Sequence, residues 1–130
     1  MMQGLYSKIR IYLGCAMRDF IRVMKALSDP NRVKIVKMLQ HKVMCVCEMQ
    51  AALKIAQPSV SKHLRQLEDA GLIASHKDGM WVNYGLADAS SSPYVASLQG
   101  NLKHWLEDDS EVADIIEKIP LIRRQEICRK

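Results

Sequence analysis

QPSVSKHLRQLEDAGLI, residues 57–73, reads as one helix with a marked start and a marked stop. Pro58 suits the first helical position, where its missing N–H costs nothing, and Ala70-Gly71 suits a left-handed C-terminal cap. Val60, Leu64 and Leu67 recur at i, i+4, i+7 and form a buried stripe. The other face carries Gln57, Ser59, Ser61, Lys62, His63, Arg65 and Gln66, each able to hydrogen-bond to phosphate or base edges. Taken alone, this pattern also fits the solvated face of an ordinary helix pair.

The neighbouring segments change that balance. Upstream, residues 44–54 are helix-like, with Met49, Ala52 and Leu53 as inward candidates, and residues 55–57 make a turn. Two helices joined this way fit a helix-turn-helix, whose second helix enters the major groove. Downstream, residues 73–77 and 80–86 read as short strands around Asp78-Gly79, a strong two-residue hairpin signal. Met80, Val82, Tyr84 and Leu86 alternate with Trp81, Asn83 and Gly85, so the first set can pack inward. A hairpin after a helix-turn-helix makes a winged helix. At its tip, His76 and Lys77 can reach the phosphate backbone, whereas Asp78 serves the turn.

Amphipathic helices flank this unit. Leu5, Ile9, Leu13, Met17, Phe20, Met24 and Leu27 predict a first helix over residues 5–27, with a break near Gly14. Asp29-Pro30 caps and starts a second helix running to about Gln40, with Val33, Val36 and Leu39 inward. After a polar linker at 87–93, Tyr94, Leu98, Leu102, Trp105 and Leu106 predict another helix. Val112, Ile115, Ile116 and Ile119 predict a shorter one ending at Pro120, and LIRRQEICRK reads as a loose tail. The expected fold is mostly α with a small β-hairpin wing. A winged helix-turn-helix domain with its dimerisation helices occupies 1–110, and a helical extension with a loose tail occupies 111–130. Large apolar stripes on the terminal helices predict a homodimer through them, matching a palindromic operator.

With 130 residues the chain suits one domain, and its formal charge of +5 favours an anionic partner. No apolar run approaches the roughly 18 residues that span a bilayer, so no membrane role is read. Lys8, Arg10, Arg18 and Asp19 interrupt the start and deny it the apolar core of a secretory signal. The expectation is a cytoplasmic protein whose Cys15, Cys45, Cys47 and Cys128 are thiols. No nucleotide-binding glycine loop, zinc-protease helix or nucleophile elbow is present, so no enzyme is read. An architectural DNA binder without an inducer is a rival that predicts weak, sequence-tolerant binding with strong salt dependence.

Four stretches together resemble the ArsR family of small bacterial metal- and metalloid-responsive repressors: KALSDPNRVKIVKML at 25–39, CVCEM at 45–49, residues 57–73, and KDGMWVNYGL at 77–86. The resemblance covers residues 20–105. It implies a winged-helix homodimer, joined through its first and last helices, that occupies its operator until an inducer binds. No cofactor is then required for DNA binding. It also implies a recognition helix over 57–69, with Gln57, Ser59, Ser61, Lys62 and His63 as contacts in its N-terminal part.

Soft thiolates at Cys45 and Cys47 suit arsenite, antimonite, cadmium or lead rather than oxygen-loving ions. On an intact helix, side chains at i and i+2 point about 200° apart. Chelation would then distort the helix before the recognition helix, a route from ligand to DNA affinity. The arsenic-sensing members typically carry a third cysteine three residues on, where this chain has Gln50. Cys15 is the candidate third thiolate, as in relatives that add an N-terminal cysteine, and Cys128 ranks lower. The cadmium- and lead-sensing relatives need four sulfurs, so arsenite or antimonite is expected first. Cys15 as a small buried hydrophobe is the plain alternative. His104 and Glu107 have helical i, i+3 spacing for a zinc or nickel site, but the partner Asp-x-His motif is missing, and a surface pair is expected. A thiol redox switch is the remaining rival. Lys42 is the only cation close in sequence, and Glu48 opposes thiolate formation.

Overall fold

The computed structural model describes residues 16–127. Helix α1 (Ala16–Ala26) is the described part of the first expected helix, and the expectations for residues 5–15 lie outside the described residues. Helix α2 (Pro30–Leu39) starts as expected: Asp29 Oδ1 accepts from the backbone N–H of Asn31 at 2.8 Å and of Arg32 at 3.2 Å, with Pro30 first in the helix. It buries Ile35, Val36, Met38 and Leu39. Val33, expected inside, is half-buried instead, because the covered face of α2 is centred on residues 35–39.

The next segment departs from the sequence reading. Met44–Cys45 is a short strand, β1, and helix α3 (Val46–Leu53) begins only after it. Glu48 causes the delay. Its side chain accepts from the Cys45 backbone N–H at 2.9 Å in a capping box, which makes Cys45 the residue before the helix. Met44 and the extended cap residue Cys45 itself are then free to pair with β3 as a strand. Helix α3 ends at Lys54, which is left-handed at φ 58°. Helix α4 (Gln57–Asp69) follows with Pro58 in its first turn and Val60, Leu64 and Leu67 buried. Gly71, at φ +80°, takes the left-handed position after it.

Strands β2 (Ile73–Asp78) and β3 (Trp81–Leu86) form the wing, and β1 adds to it in the order β1-β3-β2. Asp78 stands opposite Trp81, so the turn is Gly79-Met80 rather than Asp78-Gly79. Gly79, at φ +63°, supplies the positive φ that a two-residue hairpin needs at its first position. The expected inward set also needs correction. Tyr84 and Leu86 pack on the core, but Met80 and Val82 near the tip are exposed. Asn83, expected outside, is only 6% exposed, because β3 is the central strand and chain covers its second face as well.

Helix α5 (Pro93–Leu102) stops short of Trp105 and Leu106, which are exposed, correcting the longer helix expected there. Fully buried Lys37 of α2 explains the stop. Its Nζ donates to the carbonyl oxygens of Leu102 at 2.6 Å and Trp105 at 2.9 Å, and to Glu107 Oε1 at 3.2 Å. Leu106 then turns left-handed, at φ 66°. Helix α6 (Ser110–Lys118), capped by Asp109, leads into a 3₁₀ turn at Ile119–Leu121 and a last short helix, α7 (Arg124–Ile127). Ile115, Ile119 and Ile122 join the same core as α2, α4 and the wing. The stretch read as a loose tail is therefore pinned at Ile122 and, through the contacts below, at Arg124. Among the described residues, no helix is long and apolar enough to cross a membrane.

Candidate DNA-binding face and thiol site

Amphipathic spacing turns Val60, Leu64 and Leu67 inward and leaves a polar face on α4. Gln57, Ser59, Lys62, Arg65 and Gln66 are exposed on it, and Ser61 is half-buried. His63 is half-buried too. Its Nδ1 lies 3.2 Å from Arg32 Nη1, and its Nε2 lies 4.0 Å from Asp29 Oδ1. Arg32 also donates from Nε to the Ala26 carbonyl at 2.7 Å and from Nη2 to that of Lys25 at 3.3 Å. One guanidinium thus joins the end of α1, the start of α2 and the middle of α4. Sequence reasoning missed Arg32, since a single arginine in a first turn has no spacing signature. Lys77 is exposed near the tip of β2.

The thiol pair straddles the start of α3. Cys45 is 3% exposed and extended at φ −95°, ψ 172°, while Cys47 is half-buried in the first helical turn. The opposed side-chain directions expected of one helix do not apply, since Cys45 precedes the helix and only Cys47 lies in it. Chelation by this pair therefore does not require the helix to be broken.

Charge is concentrated behind the pair. Glu48 is 1% exposed, with Lys42 Nζ 3.0 Å from Oε2 and Arg124 Nη2 3.3 Å from Oε1. Burial pushes the Glu48 carboxyl up, but the Cys45 N–H, the Lys42 ammonium and the Cys45 side chain outweigh it and hold the group below its usual 4.5. Burial likewise pulls the Arg124 guanidinium down. Electrostatic interaction with Cys45 and with the Glu48 carboxylate, which accepts its hydrogen bond, outweighs that and holds it above its ordinary value. Arg124 also donates to Asn83 Oδ1 and lies 4.9 Å from the Trp81 ring centroid. Neither Arg124 nor Asn83 carried a signal in the sequence, because their contact joins residues 41 positions apart.

Cys47 opens onto a cavity of about 570 Å³ that Gln50, Lys54, Ile55 and Ile127 also line. Among the described residues, no three His, Cys, Asp or Glu side chains gather as a metal-binding group. The described part of the chain thus offers two thiols, and Cys15 and Cys128 lie outside the described residues. Glu107, paired in the sequence with His104, spends its carboxylate on Lys37 at 3.2 Å.

Residues 29–75 match the family described as bacterial regulatory protein, arsR family. The chain is 32% identical over 109 residues to the arsenic resistance transcriptional regulator ArsR1 of Pseudomonas putida, covering 78% of this chain and 85% of that protein. It is 31% identical over 102 residues to the arsenical resistance operon repressor of Escherichia coli, covering 76% and 83%. Among solved structures, the homodimeric winged helix-turn-helix DNA-binding domain of Mb0332 from Mycobacterium bovis matches with a TM-score of 0.59. That match has 23% identity over 74% of this chain and 89% of the other, and it bears on the fold alone. Likeness to two regulators over most of their length, on a winged helix-turn-helix, identifies the chain as a DNA-binding transcriptional repressor that belongs to the ArsR family.

Proposed function

We propose that the protein works in the reducing cytoplasm as a homodimer on a palindromic operator. In this reading it releases the operator when arsenite or antimonite is bound by Cys45 and Cys47, with Cys15 as the third thiolate. The observation that carries it is the place of the thiol pair. Cys45 caps α3, Cys47 lies in its first turn, and α3 packs against the recognition helix α4. A ligand that shifts the cap shifts the support on which α4 rests, coupling the two sites.

Sulfur ligands select thiophilic ions, and each As–S bond replaces an As–OH bond, the thiol proton leaving with the hydroxide as water. The names of the arsenic-resistance relatives support this choice of ion. Cadmium and lead rank second, because a four-sulfur site would need Cys128 or a non-sulfur ligand beside Cys15, Cys45 and Cys47.

The proposed DNA contacts are Gln57, Ser59, Ser61, Lys62, His63 and Arg65 on α4 and Lys77 on the wing, with His63 also held by Arg32. Gln57→Ala is expected to relax discrimination at one operator position by about 1–3 kcal/mol. Lys77→Ala is expected to weaken binding to all sequences and lower the salt slope by about 1. Fluorescence-anisotropy titrations with operator DNA test both. The same assay under reducing conditions, with arsenite, antimonite, cadmium, lead and zinc, tests the inducer. Arsenite or antimonite is expected to release DNA at the lowest concentration, and Cys15→Ser to require about tenfold more. Release by cadmium or lead alone would replace the metalloid with a metal, and release by oxidant alone would replace it with a redox signal.

A further inference from the structure

Three contacts converge on Arg124. Its Nη2 donates to Glu48 Oε1 at 3.3 Å and to Asn83 Oδ1 in β3. Its guanidinium carbon lies 4.9 Å from the Trp81 ring centroid, also in β3. Glu48 and Asn83 are 1% and 6% exposed, so two of these contacts are made with buried groups. The segment carrying Arg124 is anchored separately, with Ile122 in the core and its carbonyl accepting from Lys42 Nζ at 3.3 Å. That ammonium also lies 3.0 Å from Glu48 Oε2. A planar cation is thereby held between the cap of α3, where the thiols are, and the central strand of the wing.

We propose that Arg124 is a positioning residue that couples the thiol site to the wing. A ligand taken by Cys45 shifts the cap whose backbone N–H Glu48 holds, moves the carboxylate that Arg124 grips, draws the guanidinium away from Asn83 and Trp81, and loosens the wing. The trigger rests on the thiol-ligand reading above, but the bridge does not. Only a guanidinium serves all these partners at once. Its fork meets the carboxylate and the amide while its face lies over the indole, and a lysine ammonium keeps the charge but not the geometry. If the wing loosens, its contribution to DNA binding falls although Lys77 itself is untouched.

Arg124→Met and Arg124→Lys test the bridge, and Lys42 still pairs with Glu48 in both. Three measurements are compared with the unsubstituted protein: amide hydrogen exchange of residues 81–86 without ligand, arsenite binding by thiolate–arsenic absorbance, and the ratio of operator affinities without and with arsenite. In Arg124→Met the wing amides are expected to exchange about tenfold faster. Arsenite stoichiometry is expected to stay unchanged, and the affinity ratio to fall by about tenfold. Arg124→Lys is expected to behave more like Arg124→Met than like the unsubstituted protein. Unchanged wing exchange overturns the proposal, as does an unchanged ratio in a protein that arsenite induces. If arsenite does not induce the unsubstituted protein, the thiol reading fails, and wing exchange alone decides whether Arg124 is the bridge.

Discussion

Gln50 lies one helical turn beyond Cys47 and lines the same cavity. A thiol there would face the ligand from the same helical side. Gln50→Cys is therefore expected to tighten arsenite binding by about tenfold in absorbance titrations, even with Cys15 changed to Ser. Lys37 makes a different prediction, one about stability. Its ammonium holds the carbonyls of Leu102 and Trp105 at 2.6 and 2.9 Å. Lys37→Met leaves those carbonyls without their donor and should cost about 2–3 kcal/mol in urea denaturation. The two residues differ in how visible they were. The sulfur of Cys45 and Cys47 and the departure at Gln50 could be read directly from residue type and spacing. Lys37 could not, because a lysine in a short helix reads as solvated, and the carbonyls it serves are supplied 65 and 68 residues later.

Helix α3 owes its start to the capping box, so its sensitivity to acid follows from Glu48. Burial would raise that carboxyl, but its hydrogen bonds and cations hold it below 4.5 in the folded protein. A lowered folded value means that its stabilisation is complete above the ordinary carboxylate value and is lost as the pH falls through the depressed one. On acidification below 4.5, the urea midpoint is expected to fall more steeply for the unsubstituted protein than for Glu48→Gln. The recognition helix was the most legible element, because Pro58, the Val60, Leu64 and Leu67 stripe and Gly71 all point the same way. The wing was legible as two strands, but its turn was misplaced by one residue, since Asp-Gly and Gly-Met both offer a glycine to a two-residue loop. Strand β1 was hidden because two residues carry no period. The end of α5 was hidden because it depends on a cation from another helix.

For the whole molecule, apolar groups left uncovered on one chain bear on the proposed dimer. Met17, Phe20 and Ile21 of α1, with Trp105 and Leu106 after α5, are exposed, a clustering by element that fits an interface. Met17 is 74% exposed, so Met17→Glu should leave the folded chain intact. It is expected to raise the dimer dissociation constant about tenfold or more in sedimentation velocity and to weaken operator binding with it. The family and the architecture could be read from four stretches of sequence. The way the thiol cap, the buried Glu48 and the wing meet at Arg124 could not, since it arises only when the C-terminal segment folds back. The central claim is that sulfur at the start of α3 controls DNA release, and Cys45→Ser and Cys47→Ser test it most directly in reducing anisotropy titrations with arsenite. The account predicts that both variants bind operator DNA as the unsubstituted protein does and that arsenite no longer releases it; full release by arsenite from both variants would contradict the account.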